Sequence, residues 1–167
     1  MTIEKELLDD LQRLRLRMKE TFNRHVSIQD LLSDRWETAA FYGFGEGTSC
    51  YNNVLILGDV SVGRQTWIGP NVVLDGSGGL EIGNFVSVSA GVQIYTHHTV
   101  DWSQSLGESP IERQPTRIGN GVYIGPNTII QMGVSIGDKA KIGALSFVNK
   151  DVPDGGTWYG NGPVTET

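Results

Sequence analysis

Only one cysteine, Cys50, occurs in a chain of 167 residues. A disulfide framework is excluded, and a reducing, cytoplasmic location is the expectation. Histidine is nearly as scarce, limited to His25, His97 and His98. Cationic side chains are outnumbered, 13 Lys and Arg against 19 Asp and Glu, for a formal net charge of −6. Nucleic acids and anionic membranes are held through clustered cations, so neither is expected as a partner. Long apolar runs are missing too. The opening "MTIEKELLDDLQRLRLRMKETFNRHVSIQD" is too rich in charge for a signal sequence or a membrane span, and no membrane insertion is expected.

Glycine is what the chain has in excess, at 22 residues, where the ordinary share is about 7%. No Gly-X-Y period accompanies it, which removes collagen. The apolar residues recur at fixed spacing, which removes disorder. The length and the 38% hydrophobic content predict a single domain with enough interior for a core.

Two segments read as helical. Leu7, Leu8, Leu11, Leu14 and Met18 fall at three- and four-residue spacing among charged residues. The stretch "SIQDLLSDRWETAAFYG" predicts a second amphipathic helix with Ser27 as its N-cap, ending near Gly43. Residues 1–43 are thus expected to form a helical lid or brace, packed on the domain or on a neighbouring subunit.

From residue 56 the pattern changes. Aliphatic side chains stand at Ile56, Val62, Ile68 and Leu74, then Ile82, Val88 and Ile94, then Ile118, Ile124, Ile130, Ile136, Ile142 and Val148, six residues apart within each run. Four positions after each, where the run is unbroken, comes a small or β-branched residue such as Thr66, Val92, Thr128 or Ser146. Glycine often follows the aliphatic one directly. An α-helix cannot keep such a repeat on one face, because six steps of about 100° fall about 120° short of two turns. Short strands joined at sharp corners can. Each hexapeptide becomes one wall of a prism, with the aliphatic side chain inward and a small residue filling the corner.

This repeat resembles the hexapeptide-repeat acyltransferase family over roughly residues 56 to 153. The resemblance implies a mainly β fold, a left-handed parallel β-helix, which is an exception to the right-handed crossover rule. It also implies a homotrimer with active sites between subunits. The expected layout is a helical segment at 1–43, the β-helix at 44–160 with an inserted loop at about 97–117, and a short tail at 161–167.

Two breaks interrupt the prism. In "DGSGGL" the step from Leu74 to Ile82 is eight residues; this reads either as a tolerated glycine bulge or as a rim of the substrate site, with Asp75 as a polar contact. The larger break puts "VDWSQSLGESPIERQPTR" between Ile94 and Ile118, one residue after the two histidines. Loops of this length inside a compact domain are usually functional.

The segment Tyr95, Thr96, His97, His98, Thr99, Val100 is similar to the Tyr-Thr-His-Asp-Thr-Val of sugar acetyltransferases in cell-surface polysaccharide pathways. That alignment makes His97 the general base. Alignment to the His-Pro-Leu-Asp of maltose-type members pairs His98 with Asp101 instead. The implied reaction moves an acetyl group from acetyl-CoA to a hydroxyl or amine of a sugar or nucleotide-linked sugar, and imidazole suits the proton removal this requires. No metal is required. Asp101, Glu108 and Glu112 are the local carboxylates available to orient the ring.

In galactoside-type members a backbone N–H after Trp-Ile-Gly resembles the donor to the developing oxyanion. The matching residues are Tyr123, Ile124, Gly125 and Pro126, and proline has no N–H to give. The segment "IGALSFVNKDVPDG" is similar to the family's Ile-Gly-Ala-Gly-Ser-Val-Val-Thr-Lys-Asp-Ile-Pro. The resemblance implies acetyl-CoA contacts at Tyr123, Gly125, Gly143, Ala144, Asn149, Lys150 and Pro153, with simple coil geometry as the competing account of the small residues. For the acceptor, Tyr95 and Trp102 at the loop root, and Arg113 and Arg117 as partners for a diphosphate, are the candidates.

Two other readings share the prism. A γ-class carbonic anhydrase needs three converging imidazoles, whereas His25 lies in the helical segment and the adjacent pair points oppositely on an extended backbone. A non-catalytic scaffold would keep the hydrophobic ladder without needing a long loop beside two histidines.

Overall fold

The computed structural model describes residues 3–164, so positions 165–167 of the expected tail lie outside the described residues. The six-residue ladder closes into a left-handed parallel β-helix of about six turns. Its first wall carries Cys50, Ile68, Val88, Ile124, Ile142 and Trp158 inward, each strand paired in parallel with the next. A second wall carries Ile56, Leu74, Ile94, Ile130 and Val148. The third carries Val62, Ile82, Ile118, Ile136 and Val152. With the corner residues Val72, Val86, Val92, Val122, Val134 and Ala140 these side chains form one continuous core. Complete burial of each Ile or Val is worth roughly 1.5–3 kcal/mol, and that term holds the coils together.

The prism begins earlier than the aliphatic pattern indicates. Phe44 and Cys50 continue the step of six backward from Ile56, and both are buried. An aromatic ring and a thiol fill the first positions, so a search for aliphatic residues starts too late. At the other end the last coil is shorter. Val152, four residues after Val148, bridges Ile136 and serves as the inward residue of the third wall.

Glycine has two separate uses here. Gly83 lies where a Cβ would sit 2.8 Å from the Gly119 carbonyl of the next coil, so its bareness permits coil stacking. The corner between the first and second walls needs positive φ, met by Asn71, Gly91, Asn127 and Leu145 in successive coils. At the corner between the third and first walls a polar ladder climbs the prism: the Asn84 amide N–H donates to the Asn120 side chain, Asn120 to Asp138, and Asp138 to Asp154.

The helical segment differs from expectation in one respect. Helix α1 spans Ile3–Phe22 as read, but the second helix is two pieces, α2 over Gln29–Leu32 and α3 over Arg35–Phe41. Asp34 breaks them apart. Its carboxylate accepts from the Trp36 and Glu37 amides while Glu37 accepts from the Asp34 amide, a complete capping box. Ser27, expected as the N-cap, donates instead to Asp30. Among the described residues no helix is long and apolar enough to cross a membrane.

Candidate active site

Both breaks in the repeat lie at the same corner of the prism, between the second and third walls. Strand Val73–Ile82 turns that corner with the bulge Ser77-Gly78-Gly79, since Gly58 pairs with Gly76 and Val60 already pairs with Leu80. One coil further on, the chain leaves the same corner at Thr96. His97–His98 and Glu112–Arg113 form a two-stranded antiparallel neck, with His97 opposite Arg113 and His98 opposite Glu112. Beyond the neck sits the short helix α4, Val100–Gln104. The Gln114 amide then donates to the Thr96 carbonyl and closes the loop.

Stacking the two breaks puts Asp75 against His97. The Asp75 carboxylate is fully buried, and its Oδ2 lies 2.5 Å from His97 Nδ1. Ser77 donates to Oδ1 through both its amide and its hydroxyl. Oδ2 also accepts from the Thr96 amide at 2.9 Å. Burial pushes the Asp75 carboxyl up, but hydrogen bonds from the Ser77 hydroxyl, the Thr96 and Ser77 amides and the His97 ring outweigh it, leaving the pKa lowered from 3.8 to about 2. The anion is therefore fixed, and a fixed anion on Nδ1 selects the tautomer that carries its proton there. In the neutral ring that tautomer leaves the lone pair on His97 Nε2, which makes no hydrogen bond among the described residues, on a ring whose side chain is 28% exposed.

Several expectations change at this point. Asp75 faces the histidine and is closed to solvent, so it is not a contact for an acceptor. Its bulge is no idle insertion, because Ser77 holds the carboxylate and the Gly78 amide donates to Thr96 Oγ1. Asp101 sits exposed on α4, and neither imidazole is among its hydrogen-bond or ion-pair partners. The carboxylate beside His98 is Glu112, at 3.3 Å from Nε2. Arg117 belongs to the outside of the third wall, paired with Glu81 at 3.4 Å, and is not at the histidine corner. Arg113, exposed, stands across the neck from His97. Trp102 is half exposed on α4, and Tyr95 donates its hydroxyl to Gln93. Sequence reading missed Ser77 and Thr96; the serine in an over-long hexapeptide was the available signal.

The residues matched to acetyl-CoA contacts lie elsewhere. Gly125, Gly143 and Ala144 stack at the corner between the first and second walls, where a Cβ on Gly125 would meet the Gly143 and Ala144 backbone. Gly143 also lies under the Tyr159 ring, so coil packing alone explains both glycines. Tyr123 points outward from the first wall, opposite Lys141. Asn149 and Lys150 are exposed beyond Val148, on the way to the third wall, with Pro153 just past Val152. The Pro126 carbonyl accepts from the Leu145 amide and offers no donor.

The chain is a prism of hexapeptide repeats with a histidine loop at one corner. Residues 115–150 match the family model described as bacterial transferase hexapeptide (six repeats). The chain is similar to galactoside O-acetyltransferase of Escherichia coli strain K12, at 29% identity covering 56% of each chain. It is 34% identical to chloramphenicol acetyltransferase of Morganella morganii over 44% of this chain and 43% of that one. The chain thus spans about half the length of these curated relatives. Among solved structures, a galactoside acetyltransferase in complex with coenzyme A matches 93% of this chain and 82% of that one, with 27% identity and a TM-score of 0.67. A hexapeptide-repeat acetyltransferase of Vibrio cholerae complexed with acetyl-coenzyme A covers 98% of this chain and 87% of that one, at 25% identity and a TM-score of 0.69.

Proposed function

We propose that this protein is an acetyl-CoA-dependent acetyltransferase acting on a hydroxyl or amine of a sugar or nucleotide-linked sugar, with His97 as general base. The observation that carries the reading is the buried Asp75 carboxylate on His97 Nδ1, which frees Nε2 at the root of an 18-residue interruption. Likeness to acetyltransferases, two of them solved with coenzyme A or acetyl-coenzyme A, supports the donor.

The thioester supplies an acetyl carbonyl activated toward attack. His97 Nε2 takes the proton of the acceptor O–H or N–H as the new bond to that carbonyl carbon forms. The imidazolium, stabilised by Asp75, then gives the proton to the departing thiolate as the C–S bond breaks. Acetylated sugar and free coenzyme A thiol result, and no covalent enzyme intermediate is needed. His98, tied to Glu112 and to the Val100 amide, supports the neck.

His97 and the small-residue stack at Gly125, Gly143 and Ala144 occupy different corners of one prism. The reading therefore includes a homotrimer with shared sites, in which a second copy would bring its small-residue corner to the histidine corner; the separation of the two corners within one chain supports it. The test is thiol release from acetyl-CoA against a panel of neutral and amino sugars and their nucleotide-linked forms. His97→Ala should abolish release with acetyl-CoA binding retained, whereas His98→Ala should lower it by no more than about tenfold. Equal turnover by the native chain and the His97 variant removes His97 as the base, and no release with any acceptor removes the enzyme and leaves the scaffold reading.

A further inference from the structure

The base of the prism holds a cavity of about 260 Å³ between α1, α2, α3 and the first coil. Three arginines are among the residues that line it, Arg17, Arg24 and Arg35. In a chain of net charge −6 this concentration of cations requires a reason. None of the three forms an ion pair among the described residues. The two carboxylates at the same cavity are already engaged. Asp30 accepts from the Ser27 hydroxyl and from the Asn52 amide and side chain, and Asp34 caps α3.

The remaining lining is apolar and aromatic, with Phe22, Trp36 and Tyr51 beside Met18 and Val26. Arg35 is preorganised: its guanidinium lies 4.9 Å from the Trp36 ring centroid and 5.0 Å from that of Tyr51. Concave, mostly apolar walls with a few convergent charged groups are the general form of a small-molecule site. Guanidiniums facing such walls match phosphate oxygens, and aromatic surface matches the flat ring next to them.

We infer that this cavity is a binding site for a nucleoside phosphate, with Arg17 and Arg24 meeting the phosphates and the aromatic wall taking the base. The site lies apart from the histidine loop; equilibrium binding tests its existence without turnover, and only the naming of the ligand's source rests on the acyl-transfer reading. Such a ligand has two sources, the nucleoside diphosphate of an acceptor or the adenosine bisphosphate end of the donor.

Isothermal titration of the full chain with UDP, with adenosine 3′,5′-bisphosphate and with inorganic pyrophosphate separates them. One nucleotide is expected to bind, with affinity falling at higher salt, at least tenfold weaker in the Arg17→Gln/Arg24→Gln double variant and unchanged in His97→Ala. Both arginines are exposed, so their replacement leaves the core intact. UDP binding assigns the acceptor's nucleotide and bisphosphate binding the donor's. Trp36→Ala should weaken the nucleotide and leave pyrophosphate unaffected. The inference is overturned if the double variant binds as tightly as the native chain, if His97→Ala abolishes binding, if pyrophosphate binds as well as the nucleotides, or if none of them binds.

Discussion

At the scale of a single residue, Asp75 carries a prediction for the proposed catalysis and another for stability. Replacing it with Asn keeps the size but removes the anion that fixes the Nδ1 proton. The expected result is a fall in kcat of roughly 100-fold or more with KM little changed, because a misplaced tautomer leaves binding intact. Steady-state kinetics of Asp75→Asn decides this, and a change confined to KM refutes the assignment. The depressed pKa also makes a stability statement. A carboxyl at about 2 in the folded chain, against an ordinary 3.8, contributes stability that is fully present above pH 4 and is lost as the pH falls toward 2. The gap in Tm between the native chain and Asp75→Asn should therefore be open at pH 6 and narrow steadily between pH 4 and pH 2.

At the scale of the element, corners are where this sequence is least well matched to its own fold. Asn71, Gly91 and Asn127 accept positive φ readily, whereas Leu145 holds φ 58° with a side chain 75% exposed. Left-handed backbone costs an ordinary residue about 1 kcal/mol, and burial gives Leu145 little in return. Leu145→Asn is expected to raise stability by about 1 kcal/mol in denaturant melts, and Asn71→Leu to lower it by a similar amount. A destabilised Leu145→Asn would show that the leucine makes a contact with another copy. The split between α2 and α3 also belongs to this scale. "SDRWE" contains the capping box, but an amphipathic pattern running through it hides the break.

At the scale of the whole molecule, the two corners make a prediction of their own. If catalysis needs the histidine corner of one copy and the donor corner of another, inactive variants should complement. His97→Ala and Ala144→Trp chains, each inactive alone, should recover a fraction of native thiol release when denatured together and refolded as mixed assemblies. Ala144 is exposed, so the larger side chain obstructs the corner without entering the core. Failure to complement, with both variants properly assembled, places the whole site within one chain.

The prism walls, the inward residues from Ile56 to Val148 and the two interruptions were legible in the sequence because a six-residue period is a local property and each wall repeats it, whereas the inward Phe44, Cys50, Val152 and Trp158 fall outside the aliphatic ladder. His97 and His98 were marked by their place at an interruption. The partner of His97 was not legible, since Asp75 lies 22 residues away and meets the ring only because successive coils stack in register. Asp101, four residues away, was the nearer choice in sequence, but α4 carries it into solvent. Arg117 was placed in the loop by its neighbours, although strand pairing puts it beside Glu81 on the outer wall. The sequence by itself determined how the chain coils, through the spacing of aliphatic side chains. Only the tertiary structure decided which residues act together, because a solenoid brings residues one turn apart into contact and separates neighbours at its corners.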